Sequence, residues 1–184
     1  MNSLILIVLP IILIITVLVL WYIATMNDLR RTEIKVAEAL SDIDVALMKR
    51  HDVLLKMLDI SKGFAVFEKE TMLETIRMRS GMTMTERNQA SDAMDQASHF
   101  IQAVAENYPQ LKSNENYKQL QLSVMDTEEH LQAARRLYNG NVSRLNQKIV
   151  SFPSSIVASA IRIEAADFIE ATEEMRQDIK MELP

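Results

Sequence analysis

The chain has 184 residues, a net charge of −5, no cysteine, three glycines and four prolines. The lack of cysteine excludes disulfides, thiolate catalysis and zinc–thiolate sites, and the acidic balance argues against nucleic acid as a partner. Since so few glycines and prolines cannot supply the turns of a β sandwich or barrel, the composition predicts an all-α fold.

The first predicted element is an apolar helix from Leu4 to Ala24, a run that contains no charged residue. As a helix it is about 31 Å long, close to the roughly 30 Å hydrocarbon core of a bilayer. Trp21 and Tyr22 lie at its end, where aromatic rings favour the headgroup level. A cleaved signal peptide would need a basic N-terminal region, a shorter apolar core and a small-residue cleavage site. The sequence therefore predicts a membrane anchor over residues 1–27.

The flanks of this helix predict its orientation. Arg30, Arg31 and Lys35 follow the apolar run, whereas no Lys or Arg precedes it. The positive-inside rule then places the N-terminus outside and the remaining domain in the cytoplasm, as a single-pass protein. We interpret these basic residues as a topology signal rather than as a broad lipid-binding patch.

A first soluble helix is predicted from Asp28 to about Arg79, with Gly63 weakening its middle. Apolar residues recur in it with the 3–4 spacing of a heptad seam: Val36, Leu40, Ile43, Leu47, Leu54 and Leu58. His51 occupies the remaining position of this seam. We interpret it as a core residue, with a buried pH switch as the alternative.

Further helices follow after Gly81. Thr83 and Glu86 form a capping-box pattern that opens a helix, and Pro109 ends it near Asn107. A third helix runs from about Asn114 to the Phe152-Pro153 pair. Long seams joined by short turns predict an elongated antiparallel bundle over residues 28–160. An acidic amphipathic helix or tail is predicted over 161–184, with its helical part at 165–180.

No catalytic or metal-binding pattern is found. None of the three histidines, His51, His99 and His130, has a second ligand residue at a convincing spacing, except that Glu129 adjoins His130. No Glu-x-x-His, H-E-x-x-H, phosphate-loop, dinucleotide or G-x-S-x-G motif occurs. Asp42 and Asp44 are two residues apart, so on a helix they do not face each other. The sequence therefore predicts a non-enzymatic protein without a cofactor or metal.

Several stretches resemble one family: EALSDIDVALMKRHD over 38–52, KGFAVFEKETMLE over 62–74, the Y-P-x-L-K-x-N string from Tyr108, and FPSS over 152–155. They are similar to the bacterial LemA family. The resemblance implies one N-terminal transmembrane helix and a long antiparallel helical bundle in the cytoplasm. Its motif residues map here to Asp42, Asp44, Arg50, Asp52, Glu68, Tyr108, Pro109, Leu111, Asn114, Tyr138, Asn139 and Phe152.

These motif residues are spread along the chain, so we interpret them as structural. Asn114 is suited to cap a helix, and a buried Asn139 needs hydrogen-bond partners that would fix the bundle register. Asp44 and Arg50 are not four residues apart, so any pairing between them must cross helices.

The predicted function is a membrane-anchored scaffold at the bacterial inner membrane that self-associates or docks protein partners. The anchor contacts membrane lipid, and the protein is expected to form a homo-oligomer. A related branch of the family takes part in forming magnetosome membranes, so the resemblance permits a membrane-organising role. The alternative is a sensory module in which His51 and Asn139 are polar switch points.

Overall fold

A computed structural model describes the backbone of residues 2–63 and 81–169, and their side chains from residue 7 onward. Of the described residues 87% are helical and none lies in a strand, which confirms the all-α prediction. The helices are α1 (Asn2–Ser61), α2 (Met84–Asn107), α3 (Pro109–Ser113), α4 (Glu115–Val150) and α5 (Ser154–Ala160). The chain divides into a first unit, residues 1–38 with 138–184, and a second unit, residues 39–137.

Helix α1 contains both the apolar run and the first core seam without interruption. Residues 7–20 are exposed on all sides of the helix, and α1 is long and apolar enough to cross a membrane. Pro10 lies inside α1 without ending it, although its ring removes one N–H that would otherwise bind the carbonyl four residues earlier. Burial with 3–4 spacing begins at Leu29 and continues to Leu58.

The end of α1 differs from the prediction. The helix ends at Ser61, and Lys62 and Gly63 form a turn. The predicted continuous helix to Arg79 is therefore wrong at this point, and its remainder lies outside the described residues.

Helix α2 begins as predicted. Thr83 Oγ1 accepts a hydrogen bond from the Glu86 N–H at 3.2 Å, and Glu86 Oε2 accepts one from the Thr83 N–H at 2.7 Å. This reciprocal pair satisfies two N–H groups that the helix start would otherwise leave without partners. The inward face of α2 is buried at Ala90, Met94, Ala97, Ile101 and Val104.

The short helix α3 joins α2 to α4. Pro109 occupies its first position, where a missing N–H costs nothing. Asn114 follows, and its Oδ1 accepts a hydrogen bond from the Tyr117 N–H at 3.2 Å, so it caps α4 as predicted.

In the second unit α1 and α2 run in the same direction. Asp44 pairs with Arg87, and further along both helices Arg50 pairs with Asp95. This differs from the predicted antiparallel bundle: a connection of 20 residues, 64–83, is long enough to allow parallel neighbours, whereas a short turn makes neighbouring helices antiparallel.

In the first unit α1 and α4 run antiparallel. Asn141 Nδ2 donates to the Lys35 carbonyl at 3.1 Å, and Lys148 pairs with Asp28 at 2.7 Å. After α5, residues 163–169 are not helical. The predicted helix from residue 165 is thus absent over 165–169, and residues 170–184 lie outside the described residues.

Candidate functional site

Two asparagines of α4 bind the backbone of the segment 163–169. Asn146 Nδ2 donates to the Ala166 carbonyl at 2.9 Å, and its Oδ1 accepts from the Ala166 N–H at 3.0 Å. Asn139 makes the same pair of hydrogen bonds with Ile169, both at 2.9 Å. Each side-chain amide therefore satisfies both backbone groups of one residue, which is what a neighbouring β-strand would do. We call Asn139 and Asn146 the asparagine clamp.

The spacing of the asparagine clamp explains the shape of the bound segment. Asn146 lies seven positions after Asn139, so the two side chains lie on the same face of α4, about 10.5 Å apart along its axis. Their partners, Ala166 and Ile169, are three residues apart, a distance that a chain covers only when nearly extended, at about 3.3–3.6 Å per residue. The segment is therefore drawn out along α4 and runs in the opposite direction.

Other contacts hold the same segment. Tyr138 Oη donates to the Asp167 carbonyl at 2.9 Å. Ile163 and Ile169 are buried at its two ends, whereas Phe168 is exposed. Polar contacts to the backbone and apolar anchors at both ends together fix the segment on α4.

A basic groove lies between α1 and α4 of the first unit, with a volume of about 420 Å³. Lys148 of α4 spans the groove to α1, where its Nζ donates to Thr32 Oγ1 at 2.8 Å and pairs with Asp28. Arg31 and Arg144 also line the groove. Arg30 lies outside it and forms an exposed pair with Glu33 at 2.9 Å, a type of contact that contributes little stability.

Two arginines in the second unit are buried in ion pairs between helices. Arg87 binds both carboxylate oxygens of Asp44, at 2.6 and 2.7 Å, and also donates to the Met82 carbonyl. Arg50 Nη2 lies 2.5 Å from an Asp95 oxygen and 3.2 Å from a Glu128 oxygen. Because a buried charge without its partner is costly, these pairs oppose any shift of α1 along α2.

Arg135 lies beside the Arg50 pairs and extends the buried polar layer. Its Nη2 donates to Ser91 Oγ at 2.9 Å. Burial lowers the pKa of Arg135, and the nearby carboxylates of Glu128 and Asp95 oppose that shift. The guanidinium therefore stays charged in a partly desolvated position.

An apolar groove runs between α1 and α4 of the second unit, with a volume of about 410 Å³. Val45 is 64% exposed and Leu137 is 54% exposed at its edges. The residues that line it are Asp42, Val45, Ala46, Lys49, His130, Ala133, Ala134 and Leu137. The groove is therefore shallow, apolar along its length, and bordered by charge.

One border of the apolar groove is a small charge cluster. Lys49 Nζ lies 2.9 Å from Asp126 Oδ2, and His130 Nε2 lies 3.4 Å from Asp126 Oδ1. The hydrogen bond from Lys49 lowers the pKa of Asp126, and His130 contributes less to the same effect. The carboxylate is thus held in its charged form.

Comparison with known proteins identifies the family. The sequence model that describes the LemA family matches residues 39–183 of this chain. The chain belongs to the LemA family. It is also similar to Protein LemA of Metamycoplasma hominis, with 28% identity over 163 residues that cover 86% of this chain and 74% of that protein. LemA is a membrane-associated family, in keeping with the long apolar helix.

The LemA motif residues do not converge on one site. Asp42 and Asp52 are exposed, and Asp52 lies 3.8 Å from the partly buried His51. Tyr108 and Pro109 are exposed at the α2–α3 junction. Asp44 and Arg50 do not pair with each other: Asp44 pairs with α2 and Arg50 with both α2 and α4, while Glu68 lies outside the described residues. Across residues 7–63 and 81–169 no three acidic or histidine side chains form a metal-binding group.

The residues predicted at the anchor and its flank all lie in α1. Trp21 and Tyr22 are half-buried, whereas Ala24 and Arg31 are exposed. Leu4 lies in α1, and its side chain is outside the described part.

The partners of the LemA motif residues were not predicted from the sequence. Arg87 lies three residues before Ala90, so helical spacing places it on the inward face of α2. This spacing was the signal that Arg87 is buried. The seven-residue spacing of Asn139 and Asn146 was likewise a visible signal, since it places both amides on one face. Their partner segment carries no pattern that would have revealed it.

Proposed function

We propose that this LemA-family protein is a membrane-anchored scaffold that holds protein partners at the bacterial membrane. The observation that carries the proposal is α1, in which a fully exposed apolar surface over residues 7–20 passes without a break into buried core positions from Leu29. Apolar side chains exposed all round a helix suit lipid rather than water. Arg30 and Arg31 support the cytoplasmic side for the helical domain.

The docking surface in this proposal is the apolar groove of the second unit. Val45 and Leu137 leave large apolar surfaces open to solvent at its edges. An amphipathic helix binds such a groove by inserting side chains spaced three and four residues apart. The clustered charges of Lys49, Asp126 and His130 at one border would set the direction of the bound helix. We propose that a second copy of the chain supplies this helix, which makes the scaffold a homo-oligomer.

The anchor is tested by extraction of cell membranes at alkaline pH. The full chain should stay in the membrane pellet, and the same protein lacking residues 1–27 should be released. Retention of the truncated protein would show that the apolar run is not what attaches it.

The groove is tested by the mass of the full-length protein in detergent. Leu137→Lys places a charge at the groove edge and should convert the oligomer into monomers. Leu122→Lys is the matched control, since Leu122 is also an exposed leucine of α4, at 59%, and does not line the groove. A monomeric wild type, or equal behaviour of the two variants, would contradict self-association through this groove.

A further inference from the structure

Three large apolar side chains are exposed where α4 ends and α5 begins. Val150 is 77% exposed, Phe152 is 82% exposed and Ile156 is 59% exposed. In the same stretch Val157 and Ala158 are buried, so α5 packs through one face and leaves the other apolar face outside. An exposed apolar cluster of this kind marks a contact with a partner or with lipid.

The antiparallel register of α1 and α4 shows where this turn lies along the axis of α1. Lys35 lies opposite Asn141, and Asp28 lies opposite Lys148. Seven residues along one helix thus correspond to seven residues along the other, in the opposite direction. The end of α4 therefore points toward the apolar run of α1.

Phe152 lies four residues after Lys148, and Ala24 lies four residues before Asp28. If the register continues, Phe152 is therefore opposite Ala24. Helix α4 ends at Val150, two residues short of this point, so the match holds to within about one helical turn. Ala24 is the last residue of the apolar run. Phe152 therefore lies at the edge of the segment that would cross the bilayer.

The pattern of burial along α1 independently supports this position of the turn. Residues 7–20 are exposed, whereas Trp21, Tyr22, Thr25 and Met26 are only partly exposed. Packing against the remainder of the chain thus begins within the last turn of the apolar run. The first unit reaches the level at which the hydrocarbon core gives way to headgroups.

We infer that the turn 150–156 is a second membrane contact, in which Phe152 and Ile156 enter the boundary between headgroups and acyl chains. This inference rests on the proposed anchor. Aromatic and aliphatic side chains at this depth gain from leaving water while the polar backbone of the turn stays hydrated. The first unit is then held to the bilayer at two points, the helix and the turn.

Tryptophan fluorescence tests the depth of the turn. Trp21 is the single tryptophan of the chain, so wild-type protein in phospholipid vesicles with brominated acyl chains reports the depth of the anchor. In a Trp21→Phe background, Phe152→Trp and separately Ile156→Trp report the turn. Ile34→Trp is the control, since Ile34 is 57% exposed and lies ten residues, about 15 Å, beyond Ala24 along α1.

The expected result is a loss of emission for Trp21 and for both turn variants to a similar extent, with Ile34→Trp unaffected. If Trp21 keeps its emission, the proposed anchor itself fails. If Trp21 is quenched but both turn variants emit like Ile34→Trp, the second contact is overturned and the anchor stands. Equal quenching at position 34 and in the turn would also overturn the inference, because the contact would not be specific to the turn.

Discussion

Replacing Asn146 by alanine tests how the segment 163–169 is held. The change removes one hydrogen bond donated to the Ala166 carbonyl and one accepted from its N–H. At a net ~0.5–1.5 kcal/mol for each, the segment should lose ~1–3 kcal/mol of local stability. Since the released backbone can bind water instead, we expect the segment to open while the helices stay folded.

Hydrogen exchange measures this opening directly. A fall of ~1–3 kcal/mol in the free energy of opening raises the population of the open segment, and so the exchange rate of the Ala166 amide, by roughly 5–150-fold. Amides of the buried core around Leu131 should keep their protection. Gln147→Ala is the matched control, because Gln147 neighbours Asn146 but its Nε2 donates to Ser143 within α4.

Two results would refute the reasoning. One is unchanged protection of Ala166 in Asn146→Ala, which would mean that the apolar contacts of Ile163 and Ile169 alone hold the segment. The other is equal acceleration in Gln147→Ala, which would mean that α4 itself has been destabilised. Global unfolding in denaturant distinguishes the second case, because only a weakened helix lowers the midpoint.

Gly140→Ala should raise the unfolding free energy by ~0.5–1 kcal/mol in urea, because a Cβ there meets nothing within 4 Å inside α4. Gly81→Ala has the same free space but a φ of +77°, and should instead cost ~1 kcal/mol. Asp44→Ala strips the buried Arg87 of its carboxylate and should cost ~2–3 kcal/mol, against under ~0.5 kcal/mol for the exposed Asp42→Ala. Burial raises the pKa of Tyr117, so the stability it gives holds below its ordinary pKa of ~10 and falls as the pH rises above that; an absorbance titration of the tyrosines checks this.

The sequence was sufficient to predict features that depend on local chemistry. The capping box at Thr83 and the stop before Pro109 rest on hydrogen bonds and sterics within a few residues. The buried seam of α1 follows from helical periodicity. These features were found because no distant residue can change them at low cost.

Features that depend on distant partners were missed. Asp44 and Arg50 were recognised, but nothing in their neighbourhood indicates Arg87 and Asp95, which lie more than forty positions away. The amphipathic pattern after Ile163 predicts a helix from residue 165, yet the asparagine clamp binds this segment in an extended form. Tertiary hydrogen bonds overrode local propensity there.

The asparagine clamp also limits which changes the bound segment can accept. The four hydrogen bonds of Asn139 and Asn146 go to backbone atoms of Ala166 and Ile169, so a substitution of the part-buried Ala166 loses none of them, whereas Ile169 is also a buried apolar anchor. Adding or deleting one residue between them would shift the second partner by roughly 3.4 Å, beyond hydrogen-bond reach. The segment should therefore accept a new side chain at position 166 but resist any change in length between its two partners, whereas surface loops usually tolerate insertions and deletions.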